Sequence, residues 1–260
     1  MRHIHLFEFE DQTWFPDRIR TGMTDYLRFV LGDLLDFYKP VIPLIHEALN
    51  KTGTSHIIDL CAGSGGCVKQ LIRDLHREDP AVHITLTDKF PNHSAFKYLQ
   101  ERSNGCITYI PYSLDATSVP QDLKGLRVLF SSFHHFEPAQ AKAILKDAVA
   151  NEQSIAVFDG GDKNIFTMLL IAFIHPLLFL VCTPFFTPFS LVRLFFTYII
   201  SLIPLCTVWD GIASIIRLYK PGEMLAMAHE VDPVNYHWRS GKVKHWLGFS
   251  IAYLVGYPNT

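Results

Sequence analysis

The chain has 260 residues, a formal net charge of −2 at pH 7 and 49% hydrophobic residues. This length accommodates one α/β domain with an insertion, and the balanced charge without long basic runs predicts no nucleic-acid surface. The five cysteines form no CxxC pair and the histidines show no metal-ligand spacing, so neither a disulfide framework nor a metal site is predicted. The first residues lack the pattern of a signal peptide, which favours a cytoplasmic catalytic domain.

The predicted elements alternate between helix and strand along most of the chain. Residues 24–50 have helical spacing, with an apolar face made by Tyr26, Phe29, Val30, Leu34, Phe37 and Tyr38. Strands are predicted at 57–60, 82–87, 107–110, 126–130 and 155–158, with helices at 68–76, 94–101 and 139–150 between them. A helix at 221–231 and two strands at 236–246 and 249–256, close enough to form a hairpin, follow. This alternation predicts a doubly wound, mostly parallel sheet.

A glycine-rich turn follows the first predicted strand. The apolar run ends at Asp59, and Gly63, Gly65 and Gly66 come directly afterwards. Glycines let the backbone approach a ligand, and the next helix offers free N–H groups, so the turn predicts a nucleotide-type site. The competing dinucleotide fingerprint of a dehydrogenase fits less well, because Val68 stands where its third small residue is required.

The segment 164–209 contains only one charged residue, Arg193. Each half approaches the roughly 20 apolar residues that span a bilayer, and Pro184 and Pro188 mark a helix break between them. Three interpretations are open: a hairpin in or on a membrane, a lid over a lipophilic molecule, or a buried helical pair at, for example, a dimer interface. We favour the membrane-associated hairpin, because it returns the chain to the side from which it left. Arg193 would then lie at an interface or face the site, since a charge is costly inside a bilayer.

The order of these signals resembles that of the class I S-adenosylmethionine (SAM)-dependent methyltransferases. The matches are the turn from Asp59 to Gly66, Asp88 after the second strand, Asp115 and Ala116 after the third, and residues 130–136 after the fourth. They cover residues 57–158 and 221–256 of the chain. The resemblance implies a seven-stranded, mostly parallel Rossmann-like sheet, with the apolar helical hairpin inserted, and SAM as the cofactor.

The resemblance also implies the residues that hold this cofactor. Asp88 would hold the ribose hydroxyls, and Asp115 with Ala116 would lie against adenine. Alternatively, Asp88 is a helix N-cap or a surface acid, and Asp115 is a turn residue. Cys61 stands where the family often has glycine, so the turn departs from the pattern there. The implied cofactor-binding residues are Asp59, Cys61, Ala62, Gly63, Gly65, Asp88, Lys89, Asp115, Ala116 and Ser131.

The catalytic candidates are His134 and His135, which follow the fourth strand where the family has substrate-facing residues. A neutral histidine suits proton abstraction from a hydroxyl, although methyl transfer from a sulfonium depends mainly on positioning. Alternatively, one histidine packs against the sheet and the other caps the helix that begins near Pro138. The substrate-side candidates are Trp14, Phe15, Phe133, Arg193 and Asp210; the first two could equally be a hydrophobic staple onto the core.

Four segments are therefore predicted. Residues 1–55 form a helical cover, 56–162 the cofactor-binding core, 163–219 the apolar insertion, and 220–260 the helix and hairpin that complete the core. The predicted function is methyl transfer from SAM to a hydrophobic small molecule or lipid, with oxygen as the favoured acceptor and the membrane reached through residues 164–209. The alternative is a non-catalytic module that binds SAM or S-adenosylhomocysteine (SAH) and docks through its hairpin to a membrane or partner.

Overall fold

Seven strands form one sheet in the computed structural model, which describes residues 4–259; the outermost residues of the first and last predicted segments lie outside this range. The strand order is β3–β2–β1–β4–β5–β7–β6. The strands are β1 (His56–Asp59), β2 (His83–Leu86), β3 (Ile107–Tyr109), β4 (Leu126–Phe130), β5 (Ile155–Gly160), β6 (Tyr236–Lys244) and β7 (Ser250–Pro258). β7 runs antiparallel to both of its neighbours, β5 and β6, and the other neighbouring pairs are parallel. The predicted doubly wound fold is confirmed.

Helices cover both faces of this sheet. They are α1 (Asp17–Leu27), α2 (Ile42–Thr52), α3 (Val68–Leu75), α4 (His93–Glu101), α5 (Pro138–Ala150), α6 (Ile165–Cys182), α7 (Leu191–Tyr198), α8 (Leu202–Arg217) and α9 (Pro221–Val231). Successive residues of β1 enter different cores: Ile57 packs in one apolar cluster and Ile58 in the other. Because side chains alternate across a strand and both faces are covered, the central strands are apolar throughout.

The region predicted as helical at 24–50 is broken into several pieces. A π-helical segment, Arg28–Leu34, follows α1, and a 3-10 turn, Lys39–Val41, precedes α2. The π-helical geometry changes the angle between successive side chains, so Leu34 is 51% exposed rather than buried as predicted. The same segment brings Gly32 so close to the glycine turn that an added Cβ would lie 2.7 Å from the Gly66 carbonyl oxygen.

The apolar insertion contains three α-helices rather than the predicted two. The break at residues 184–188 is present, where a 3-10 turn, Thr183–Phe185, follows α6. The second half is itself divided, because α7 and α8 meet at 77° around Ser201, whose φ of 54° is left-handed. The insertion packs on α1, where the rings of Tyr26 and Phe179 stack with centroids 3.8 Å apart.

The helical stretch Ile165–Phe185 is long and apolar enough to cross a membrane. Its mean hydropathy is 2.5, and only 17% of an 18-residue apolar segment within it is buried in the protein. The buried residues of α6 are Thr167, Ile171 and Phe179, which lie four and eight residues apart on one side of the helix. Its protein-facing contact is therefore a narrow stripe, and most of its apolar surface faces away from the domain.

Candidate functional site

The turn after β1 uses backbone conformations that favour glycine. Gly63, Gly65 and Gly66 all have positive φ, as does Cys61 at 62°. A Cβ on Gly65 would lie 2.2 Å from a methyl carbon of Leu99. The departure at Cys61 therefore places a non-glycine residue in a left-handed conformation, which carries a modest steric cost.

Asp88 joins the end of β2 to this turn. Its carboxylate accepts hydrogen bonds from the Gly63 and Phe90 amides, each at 2.7 Å. Burial raises the pKa of Asp88 even though both N–H groups favour the ionised form. The N-cap alternative is wrong, because Asn92 caps α4 by accepting from the Ala95 amide at 3.2 Å.

A cavity of about 420 Å³ opens at the carboxyl edge of the sheet, above the turn. Its walls come from the turn, the segments after β2 and β4, and the N-terminal segment with α1 and the π-helical segment. Six of the predicted cofactor residues line it: Cys61, Ala62, Gly63, Asp88, Lys89 and Ser131. Carboxyl ends of parallel strands meet at this edge, which is why residues distant in sequence converge here.

Four predicted cofactor residues do not line this cavity. Asp59 ends β1 and Gly65 lies within the turn, and neither faces the cavity. Burial raises the pKa of Asp59, and the nearby carboxylate of Asp88 raises it further. Asp115 is exposed and accepts from the Thr117 amide at 2.8 Å and its hydroxyl at 2.7 Å, as the turn-residue alternative proposed. Ala116 is buried in the core instead of facing the cavity.

His134 and His135 have different surroundings although their rings stack. His134 is buried away from the cavity: its amide donates to Asp159 at 3.0 Å and its Nδ1 lies 3.3 Å from the same carboxylate. This matches the alternative in which one histidine packs against the sheet. His135 lines the cavity, with its Nδ1 2.8 Å from an oxygen of Asp11 and 3.3 Å from Glu8.

The protonation of His135 follows from these carboxylates. Burial disfavours the charged ring, but Glu8 and Asp11 outweigh it and raise the pKa of His135 to about 10. At neutral pH the imidazole of His135 is therefore protonated, so it donates hydrogen bonds and does not accept a proton.

Arg217 completes a buried ion-pair network that the sequence did not reveal. Its guanidinium contacts Glu8 at 2.9 Å and Asp11 at 2.8 Å, and it donates to the His134 carbonyl at 3.0 Å. Arg217 is the last residue of the largely apolar α8, and the two acids lie in the N-terminal segment. The only sequence signal for their ion pairs is that these charged residues stand next to apolar stretches. The network fastens the N-terminal segment over the cavity.

Glu8, His134 and His135 also satisfy the distance requirement of a metal site, with one ligand atom of each within 4.8 Å of the others. The two imidazoles, however, stack with centroids 4.5 Å apart and planes 30° apart. Lone pairs of stacked rings point in similar directions rather than towards one ion, and Arg217 already neutralises Glu8. The chemistry of this cluster is that of an ion-pair network.

The five substrate-side predictions are corrected by the structure, because none of these residues lines the cavity. Trp14 is 67% exposed, whereas Phe15 packs in the cluster between α1 and the insertion, as a staple would. Phe133 is buried in the core. Arg193 is buried in an ion pair with Asp25, and Asp210 accepts from the Phe9 and Glu10 amides. These side chains hold the insertion and the N-terminal segment in place.

Several residues that were not predicted as site residues line the cavity instead. Arg28 lies there with its guanidinium buried, and it donates to the Thr187 carbonyl. Its Nε has no hydrogen-bond partner among the described residues 4–259. Tyr38 also lines the cavity and its hydroxyl hydrogen-bonds that of Ser131. A buried guanidinium beside the glycine turn is suited to binding a carboxylate.

Comparison with solved structures identifies the fold. The chain matches magnesium protoporphyrin IX methyltransferase from Synechocystis PCC 6803, with bound SAH, at a TM-score of 0.53 and 12% identity over 94% of this chain and 97% of that one. Human N-acetylserotonin methyltransferase in complex with SAM matches at 0.53 and 11% identity, over 94% of this chain and 57% of that one. An O-methyltransferase family protein from Burkholderia thailandensis matches at 0.50 and 13% identity, over 90% and 60%.

Neither a protein-family model nor a curated protein sequence matches the chain. The structural matches nevertheless cover 90% or more of this chain. The fold is that of the class I SAM-dependent methyltransferases.

Proposed function

We propose that this protein transfers a methyl group from SAM to an apolar small molecule or lipid. The observation that carries the proposal is the cavity of about 420 Å³ in which the glycine turn and Asp88 meet under the N-terminal segment. The fold and the cofactors in the matched structures support SAM as the methyl donor. SAM supplies an activated methyl group, so the protein contributes mainly binding and orientation.

The cavity residues suit the chemical groups of SAM. Asp88 is oriented by two backbone N–H groups and can accept from a ribose diol. Arg28, with its unpartnered Nε, is the proposed partner of the cofactor carboxylate. The free N–H groups at the start of α3 form the positive end of a helix dipole, which favours a negatively charged group of the cofactor.

The remaining wall of the cavity supports an apolar acceptor with an oxygen nucleophile. Its apolar residues include Phe7, Leu27, Leu31, Phe130 and Phe136. His135 is the proposed catalytic residue in this wall: as an imidazolium it donates a hydrogen bond to an acceptor oxygen that is already ionised. A phenolate or carboxylate would then need no base for methylation.

We also propose that residues 164–209 hold the protein on a membrane surface, with the catalytic domain on the cytoplasmic side. Eight large apolar side chains of α6 are exposed: Ile165, Phe166, Leu169, Phe173, Ile174, Leu177, Leu180 and Val181. A patch of this kind is unusual on a monomeric soluble domain. The buried stripe of α6 packs against the domain along the helix, which supports docking in the plane of the membrane rather than crossing it.

In this proposal the four predicted segments keep their assigned roles. Residues 1–55 cover the site, 56–162 bind the cofactor, 163–219 dock to the membrane and 220–260 complete the sheet. The acceptor would reach the cavity from the lipid that the insertion contacts.

Calorimetric titration with SAM, SAH and NAD tests the cofactor. We expect SAM and SAH to bind and NAD not to bind. Asp88→Ala should weaken SAM binding by more than about tenfold, because hydrogen bonds to a charged group are worth roughly 1.5–3 kcal/mol. Asp115→Ala is the matched control, since that acid follows the next strand but lies outside the cavity, and it should leave the affinity unchanged.

Binding of NAD alone would contradict the proposal and restore the dehydrogenase interpretation. SAM binding without methyl transfer to any apolar phenol, carboxylic acid or lipid would favour the non-catalytic binding module instead.

A further inference from the structure

A chain of buried polar groups connects the apolar insertion to the glycine turn. It runs from Arg193 in α7, through Asp25 in α1, to Ser64 within the turn. All three residues are at least 95% buried, and Ser64 also lines the cavity. The methyl-transfer proposal above makes no use of this connection.

At the turn, Ser64 is the centre of a compact set of hydrogen bonds. Its hydroxyl donates to Asp25 at 2.9 Å and lies 2.7 Å from the Thr24 hydroxyl. It also accepts from the Asn92 side-chain amide at 2.6 Å. The hydroxyl is therefore held from α1 on one side and from the start of α4 on the other.

At the insertion, Arg193 joins two chain segments to Asp25. One nitrogen of its guanidinium donates to Asp25 at 2.6 Å, and another donates to the carbonyls of Phe186 at 2.7 Å and Pro188 at 2.9 Å. Arg193 thus links the segment between the two halves of the insertion to the Asp25 carboxylate, which in turn holds Ser64.

The electrostatics make this link sensitive to each member. Burial raises the pKa of Asp25, although Arg193 and Arg28 favour its ionised form. If Arg193 is removed, Asp25 becomes a buried carboxylate without its main partner, which is strongly unfavourable. The carboxyl group would then take up a proton or move, and the hydrogen bond that positions Ser64 would change.

We infer that Asp25 and Arg193 are positioning residues for the cofactor, so that the apolar insertion supports the cofactor site through the glycine turn as well as carrying the exposed apolar surface. The inference rests on the proposed function, because it takes SAM as the occupant of the cavity. The turn flanking Ser64 consists of Gly63, Gly65 and Gly66, all with positive φ. Glycines provide no side-chain anchor of their own, so the Ser64 hydroxyl fixes this stretch from one side and Asp88 from the other.

The test compares SAM binding by the wild type, Arg193→Met and Arg193→Lys. We expect Arg193→Met to raise the Kd and KM for SAM about tenfold or more, with kcat at saturating SAM largely retained. Arg193→Lys keeps the charge and should recover most of the affinity. The matched control is Arg127→Met, which removes another buried ion pair, 2.5 Å long, to Asp147 in α5. It should lower the melting temperature but leave the Kd for SAM unchanged.

Ser64→Ala provides a second variant that keeps the ion pair intact and does not depend on the folding of Arg193→Met. It should also raise the Kd, and adding Arg193→Met to it should cause no further loss, since both changes act through one link. Unchanged SAM affinity in Ser64→Ala and Arg193→Met overturns the inference while leaving the proposed function intact. An equal loss in Arg127→Met overturns it as well, and a wild type that binds no SAM contradicts both.

Discussion

The apolar residues of β5 and those of α6 have opposite surroundings in the same molecule. Phe158 in β5 is 0% exposed and stacks on Phe130, whereas Phe173 in α6 is 68% exposed. A strand inside a doubly wound sheet is covered by helices on both faces, but α6 has a protein partner only along one stripe. Similar hydrophobicity thus stabilises the domain at β5 and forms an exposed apolar surface at α6.

Truncation of the two phenylalanines gives the largest expected contrast. Phe158→Ala should lower the free energy of unfolding by about 3–5 kcal/mol, since it removes a fully buried ring and leaves a cavity. Phe173→Ala is the matched control and should change it by less than about 0.5 kcal/mol. Chemical unfolding measured in the absence of lipid checks both values. A comparable loss in the two variants would mean that α6 is covered in solution.

Charged substitutions on the exposed face of α6 should reduce binding to lipid while leaving stability in water almost unchanged. The double variant Phe173→Glu/Leu177→Glu should reduce binding to phospholipid vesicles by more than about tenfold, because a charged residue is poorly accommodated among lipid tails. Its stability in water should be close to that of the wild type. Val234→Glu is the control, because Val234 is also exposed but lies outside the insertion.

Vesicle flotation with vesicles that contain no protein receptor measures this binding. Vesicle binding by the double variant at wild-type strength would contradict membrane docking through α6. Loss of binding in the Val234→Glu control would show that charge acts on the protein as a whole rather than at this face.

The pH dependence of stability tests the network that holds the N-terminal segment. His135 has a pKa raised from 6.5 to about 10 in the folded protein. Its ion pairs therefore contribute stability that is complete below pH 6.5 and is lost as the pH rises through about 10.

Melting temperatures of the wild type and His135→Gln, measured between pH 6 and about 10, check this sign. The wild type should lose more stability than the variant across this interval. Parallel curves would contradict the charged state of His135, and with it the proposed preference for an ionised acceptor oxygen.

The local patterns of the sequence were sufficient for the sheet and the turn. The strands ending at Asp59 and near Asp88, and the closing hairpin, follow from short apolar runs and turn chemistry, which act between near neighbours. The predicted helix at residues 221–231 coincides with Pro221–Val231. The division at residues 184–188 was likewise predicted from proline, because proline disrupts a helix wherever it occurs in the interior.

Long-range pairing decided the rest. Asp25 and Arg193 are 168 residues apart, and Asp11 and Arg217 are 206 apart, so no local pattern could reveal them as partners. The sequence also placed Arg193 and Asp210 on the substrate side, although their hydrogen bonds direct them to other segments. The sequence by itself determined that the chain would form an α/β sheet with a glycine turn and carry an apolar insertion. Only the tertiary structure decided which charges meet and which apolar faces stay uncovered, because burial and ion pairing depend on what each segment packs against.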